Sequence, residues 1–197
     1  MRLTHGVLVL ALAFFACAPS SVNPVTVPLQ YKTMASVGEF PSAQTCGSVS
    51  RVEVTDARAN KMLGSRYLQE KSSMRADVTS SGDVAGWVQS GAEAALKQSG
   101  AAMQGGGPVL RLRLTDIKTD ESVFHRAQFN ARITLAADLL SPGGRSCWHD
   151  SAEGYSENYG YAGSAENYQE TLNHALDRAM IRVLGSGEYK KAVCDCR

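Results

Sequence analysis

The chain has 197 residues, 44% of them apolar and 20% charged, with a formal net charge of +1 and five cysteines. That length and apolar content build one ordinary core and leave no room for two large domains. The near-neutral balance lacks the basic surplus that drives general nucleic-acid binding, the charged fraction is too low for a charge-rich tail, and the odd cysteine count sets one thiol apart from the others.

Arg2 precedes an apolar run from Gly6 to Ala16 that stops at Cys17. A positive start and a short apolar stretch make an export signal, too short to span a bilayer as a mature helix. A cut after Ala18 would place Pro19 first, and a proline without its N–H is a poor substrate; a cut before Cys17 leaves a small residue, Ala16, just upstream. The arrangement resembles the bacterial lipobox. That resemblance implies a signal peptide over 1–16 and lipidation of Cys17 by diacylglycerol and a further acyl chain such as palmitate. Because Ala18 is not aspartate, it also implies the periplasmic face of the outer membrane. Two or three chains make such an anchor effectively permanent. Loss of residues 1–16 removes Arg2, leaving 19 basic and 19 acidic side chains, so no electrostatic partner is implied.

Residues 17–45 carry Pro19, Pro24, Pro28 and Pro41 without a lasting period and read as a lipidated N-terminus and tether, with room for a short edge strand near Val25–Leu29. The remainder, 46–197, reads as one periplasmic domain with a cysteine-containing tail. Val49–Asp56 alternates as a strand with one buried face, and 57–80 reads as a loop with a small hairpin. Ser81 and Gly82 open a helix from Asp83 to Ser99, stopped by Gly100, whose small residues Gly91, Ala92 and Ala95 allow close packing on a sheet. Leu110, Leu112 and Leu114 mark a second strand, and Phe129 to Ala137 a third. Ser141-Pro142-Gly143-Gly144 turns into a fourth, Ser146 to about Tyr155. A closing helix runs from Ser164 to Leu184, with Glu166 and Glu170 near its start and Arg178 and Arg182 near its end. Strands with one apolar face need cover on that face alone. The expected fold is therefore α+β: a two-layer sandwich of a mixed four-stranded sheet with two helices on one face.

The order of elements, together with Val52-Glu53-Val54-Thr55-Asp56-Ala57-Arg58, Leu63-Gly64, Asp83-Val84 leading to Trp87, Leu96 and Gly100, and the strand Val109–Leu114, resembles the YajG-type bacterial envelope lipoproteins. The resemblance spans about residues 49–140 and implies an envelope location and this fold, not an activity.

With Cys17 assigned to lipid, Cys46, Cys147, Cys194 and Cys196 remain, an even number suited to disulfides in an oxidising compartment. Metal binding by the Cys194-Asp195-Cys196 tail with a histidine is the competing use, although one intervening residue is tighter than usual zinc spacing. A right-handed crossover and two hairpins bring all four cysteines to one end of the sheet. Cys46 and Cys147 then flank opposite edges, too far apart to bond directly, so one tail cysteine should bridge to each.

Asp56 and Arg58 read as a turn-capping pair and Trp87 as core. His125, His149 and His174 lack the paired spacing of a metalloprotease helix, and no nucleophile elbow, Ser-x-x-Lys pair or phosphate loop occurs. No catalytic residue, cofactor or metal is therefore expected. Arg111, Arg113 and Arg132 share the polar side of neighbouring strands, as a basic patch for an anionic lipid or glycan or simply as a solvated face. Tyr155, Tyr159 and Tyr161 fall in a Gly, Ser and Asn stretch that reads either as a flexible loop able to touch a glycan or protein or as a loop whose tyrosines fold back on the closing helix. The expected function is a non-catalytic binding or structural module of the cell envelope, tethered to the membrane through its lipid. The alternatives are an auxiliary subunit of an envelope transport or lipid-trafficking complex, or a hydrolase with a pocket around His125 or His149.

Overall fold

The computed structural model describes residues 23–33, 39–43, 48–67, 74–123 and 126–196. In chain order these form β1 (Val25–Val27), β2 (Ser48–Val49), β3 (Arg51–Asp56), β4 (Gly64–Tyr67), β5 (Arg75–Ser80), α1 (Val84–Gln98), β6 (Ala102–Met103), β7 (Val109–Val123), β8 (Ala127–Leu140), β9 (Ser146–Gly160), α2 (Ala165–Gly185) and α3 (Gly187–Asp195). Mixed α+β architecture is as expected. The sheet, however, has seven strands rather than four, in the order β1-β5-β4-β7-β8-β9 with β3 beside β7; β2 and β6 form a separate two-stranded sheet, and α3 is a third helix.

The small hairpin expected within 57–80 is present as the antiparallel pair β4–β5, but both strands belong to the main sheet. That membership was not legible in β4, which reads Gly-Ser-Arg-Tyr, half-buried throughout and without alternation. β7 continues nine residues past Leu114 because a bulge between Leu114 and Asp116 inserts one residue. The inward positions then change from even (Leu110, Leu112, Leu114) to odd (Ile117, Thr119, Glu121), so a fixed period of two fails at that point. β3 pairs with β7 before the bulge and β4 after it, both in parallel. The neighbour order β3-β7-β8-β9, and the parallel crossover from β3 through α1 to β7, agree with expectation.

Both long helices cover one face. α1 buries Trp87, Val88, Gly91, Ala92, Ala95 and Leu96, and the Trp87 indole N–H donates to Asn173 Oδ1 of α2 at 2.8 Å. At Gly154 of β9 a Cβ would run into the Ala175 backbone of α2, so glycine sets the approach of helix to strand. Ser164 caps α2 by accepting from the Asn167 amide, with Glu166 in the first turn and Arg182 in the last.

Much of the expected tether belongs to the domain. β1 joins the sheet in parallel with β5, Val25 opposite Val78. Beyond it, Tyr31 enters the α1–α2 groove, where a Cβ on Gly91 would meet its ring, and its hydroxyl donates to Asp177 Oδ1 at 2.7 Å. Farther on, Ala43 donates its amide to the Ser99 carbonyl at the C-terminus of α1. The short strand near Val25–Leu29 is thus present, and residues 25–31 and 43 make these contacts with the body of the fold.

β9 is an edge strand, and its free edge is capped. Arg178 of α2 donates to the Tyr155 carbonyl at 2.6 Å, while the amides of Ser151 and Tyr159 are taken by the Asp150 and Asn158 carboxylate and amide oxygens. These positions have one parity, so all three groups point off the same side of the strand. Such local satisfaction blunts an edge that would otherwise template another strand.

Candidate functional site

Opposite the helices, β3, β7, β8 and β9 present an open face of alternating side chains. The three arginines expected to form a basic patch lie on it, but each has a cross-strand carboxylate. Arg111 meets Glu53 at 3.3 Å, Arg113 meets Asp138 at 3.8 Å and Arg132 meets Glu153 at 3.3 Å. Arg51 also bonds Glu53, and its guanidinium, with that of Arg111, holds the Glu53 carboxyl below its ordinary value. The three arginines therefore sit in a lattice of paired charges on the polar face of the sheet. Glu53, Asp138 and Glu153 could have been anticipated from their strand positions only once the register was known, because cross-strand neighbours are set by pairing and not by spacing along the chain.

The tyrosines also differ from expectation. Tyr155 and Tyr159 lie on β9, on the open face, and not in a flexible loop; only Tyr161 is beyond the strand. Their exposures rise along the chain, 43%, 57% and 88%. Glu157 sits between the first two and accepts from both hydroxyls, Tyr159 at 2.6 Å and Tyr155 at 3.3 Å. Tyr155 also donates to Asn130 Oδ1 at 3.0 Å, and Asn130 donates to Asp120 at 2.9 Å. Both phenols are held above their ordinary pKa, Tyr155 by desolvation and Glu157, Tyr159 by its hydrogen bond to Glu157, so both remain protonated donors at neutral pH. With Lys118 and Arg132, Asp120, Asn130 and Tyr155 line a shallow depression.

A buried network holds this end rigid. Glu121 is fully buried and accepts from Arg66 Nε at 3.0 Å, the Tyr168 hydroxyl at 2.8 Å and the Gly163 amide at 2.8 Å. Arg66 also donates to the Asn23 carbonyl at 3.1 Å, and Asn167 donates to the Tyr161 carbonyl at 3.2 Å. One carboxylate thus ties the incoming chain, β4, β7 and the turn after Tyr161 together. The bulge hides Glu121 from a sequence reading by moving it to the inward parity.

At the opposite end, Cys147 is bonded to Cys196, with a Cα–Cα distance of 5.7 Å. Cys194 is also disulfide-bonded, to a cysteine outside the described residues. Cys17, Cys46 and His125 fall outside the described residues as well. His149 is exposed on β9, and His174 is buried on α2 with its pKa lowered, chiefly by desolvation. Asp56 and Arg58 form the expected turn cap: the Arg58 guanidinium, itself buried, donates to both carboxylate oxygens at 2.9 and 3.0 Å, and Asp56 is held down to about 2. Among the described residues no group of three His, Cys, Asp or Glu is placed to hold a metal ion, and no helix is long and apolar enough to cross a membrane.

No family model matches the chain, and no curated protein matches it. Among solved structures it is similar to protein XCC0632 from Xanthomonas campestris, described by the family model DUF330, with 11% identity, a TM-score of 0.50, and coverage of 86% of this chain and 96% of that one. An uncharacterized protein also aligns at 11% identity over 81% and 98% of the two chains, but its TM-score of 0.30 is too low to support an argument. The likeness to the DUF330 protein is one of fold: at the backbone level this chain resembles a bacterial protein of uncharacterised family.

Proposed function

We infer that the protein is a lipid-anchored, non-catalytic module of the bacterial envelope, held by Cys17 at the periplasmic face of the outer membrane, whose open sheet face docks a protein partner. The observation that carries the docking role is the cross-strand lattice itself: Arg111, Arg113 and Arg132, each opposed by a carboxylate, spread both signs of charge over a flat, rigid surface. Small ligands are held in concave sites. A flat face of mixed sign with half-exposed tyrosine suits a macromolecule, because rearranged charge pairs give register and tyrosine gives contact area at low entropic cost. The export signal and Cys17 support the location, as does the YajG-type resemblance read from the sequence.

Intact-mass measurement of the membrane-extracted protein, before and after reduction, tests the anchor by the added mass of the acyl chains. Cross-linking from position 132 on the open face, followed by co-purification, tests the docking face. The expected result is a stoichiometric partner that is lost with Tyr155→Ala and Arg113→Glu together; a partner retained by that variant, or captured equally from the helical face, would place the interaction elsewhere.

A further inference from the structure

The chain enters the fold at one end of the sheet, and the side chains at that end match a lipid surface. Arg75, Tyr67, Ser122, Gln128 and Tyr159 pair in a single row across β5, β4, β7, β8 and β9. Directly paired residues share a face, so this row borders the open side of the sheet. Asn23, two residues before β1, lies within about one residue of the same level, since Val25 is opposite Val78 and Arg66 bonds the Asn23 carbonyl.

Asn23 is six positions beyond Cys17, which is a reach of at most about 20 Å. β7 and β9 each have 15 residues, so the sheet extends roughly 50 Å from this row to the far hairpin at 141–145. A lipid on Cys17 therefore keeps the entry end close to the bilayer and leaves the far end free of that constraint. Of the large apolar side chains exposed among the described residues, Met74, Tyr159 and Tyr161 are at the entry end, Tyr155 is two strand repeats inward, and Met103 alone is remote. Arg75 and Arg126 are exposed there and form no ion pair among the described residues. The next row inward, Asp77, Ser65, Asp120, Asn130 and Glu157, holds three carboxylates; Asp120 accepts from Asn130 and Glu157 from two tyrosine hydroxyls, while Asp77 and, in the first turn of α2, Glu166 are exposed. Tyrosine sits well at the headgroup level of a membrane, and arginine is drawn to anionic lipid.

We propose that this entry end is a membrane seat: Tyr159, Tyr161 and Met74, flanked by Arg75 and Arg126, rest on the phospholipid surface that holds the anchor. The disulfide-stapled end then projects away from the membrane. This rests on acylation of Cys17, and it leaves the charged lattice of the open face available to a partner beside the membrane.

The test uses the full acylated protein in vesicles of phosphatidylethanolamine and phosphatidylglycerol, with p-benzoylphenylalanine introduced at Tyr161 or, in the far hairpin, at Gly143. Lipid adducts from position 161 should exceed those from position 143 at least tenfold. Equal or reversed labelling of protein whose mass shows acyl chains overturns the orientation while leaving the anchor intact; a mass without acyl chains overturns the anchor reading and the seat with it. With the photoprobe at Arg126, Tyr159→Ser and Tyr161→Ser together should lower lipid labelling at least threefold. Unchanged labelling would mean that the short tether alone brings this end near the bilayer, and would overturn the role of the tyrosines.

Discussion

Tyr168 donates its hydroxyl to the buried carboxylate of Glu121 at 2.8 Å, and the same carboxylate receives the Arg66 guanidinium and the Gly163 amide. The Tyr168 ring also packs edge-on against Phe129 at 4.9 Å, so this contact joins the helical layer to the centre of the sheet. Removing the acceptor leaves a buried cation and a buried hydroxyl unsatisfied, whereas removing the hydroxyl leaves the carboxylate with its other donors. Glu121→Ala should therefore cost about 3–5 kcal/mol and Tyr168→Phe about 1–2 kcal/mol in urea unfolding. Equal costs would show that Arg66 is not compensated through Glu121.

The Cys147–Cys196 bridge spans 49 positions, and a loop of that size removes on the order of 4 kcal/mol of unfolded-state entropy in the chain-entropy model. Cys147→Ser with Cys196→Ser should lower stability by roughly 2–4 kcal/mol, measured by denaturant titration under non-reducing conditions. Peptide mapping of the native protein should find this pair and, from the cysteine arrangement, Cys46 with Cys194. A Cys194–Cys196 bridge would contradict both.

Asp177 is fully buried on α2, with Oδ1 bonded by Tyr31 and Oδ2 without a partner among the described residues. Burial pushes its carboxyl up from 3.8 to about 6, against the lowering effect of the Tyr31 hydrogen bond. The folded state then holds more protons than the unfolded state between about pH 4 and 6, so this group's contribution to stability falls as pH rises through that window. His174, whose pKa is lowered, acts in the opposite sense near its own titration, so the two are separated by comparison with a variant. Relative to Asp177→Asn, the natural protein should lose on the order of 2–3 kcal/mol between pH 4 and 7. Thermal melts of both across that range check it, and parallel profiles would place Asp177 near its ordinary value.

Arg178, Asp150 and Asn158 cap the outer edge of β9 by bonding three of its outward backbone groups. Removing all three as alanine exposes a long, nearly straight template for strand addition. The triple variant should remain folded by circular dichroism and self-associate in a concentration-dependent manner in sedimentation velocity. A monomer at all concentrations would show that the edge is protected by α2 itself.

Several features could be read directly from residue order. Leu110, Leu112 and Leu114, then Phe129 to Ala137, alternate because one face of each strand is buried, and the stripe from Tyr168 to Val183 recurs at helical spacing, although α2 is buried all round over residues 171–177. Those are local periodicities, and they were enough for the α+β class; with a right-handed crossover and hairpins they also led to the convergence of the cysteine tail on the start of β9. Charge pairing was not local. Arg113 and Asp138 are neighbours only because a hairpin folds β8 back on β7, and Arg66 finds Glu121 only because a bulge turns the latter inward.

Part of the near-neutral charge thus acquired a location: Arg111, Arg113 and Arg132 pair with carboxylates across strands of the open face. The sequence by itself determined the periodic elements, since each depends on residues close together in the chain. Tertiary structure alone decided that the short strand near Val25–Leu29 pairs in parallel with β5, because the partner of a strand some fifty residues away is not set by the local pattern of either segment.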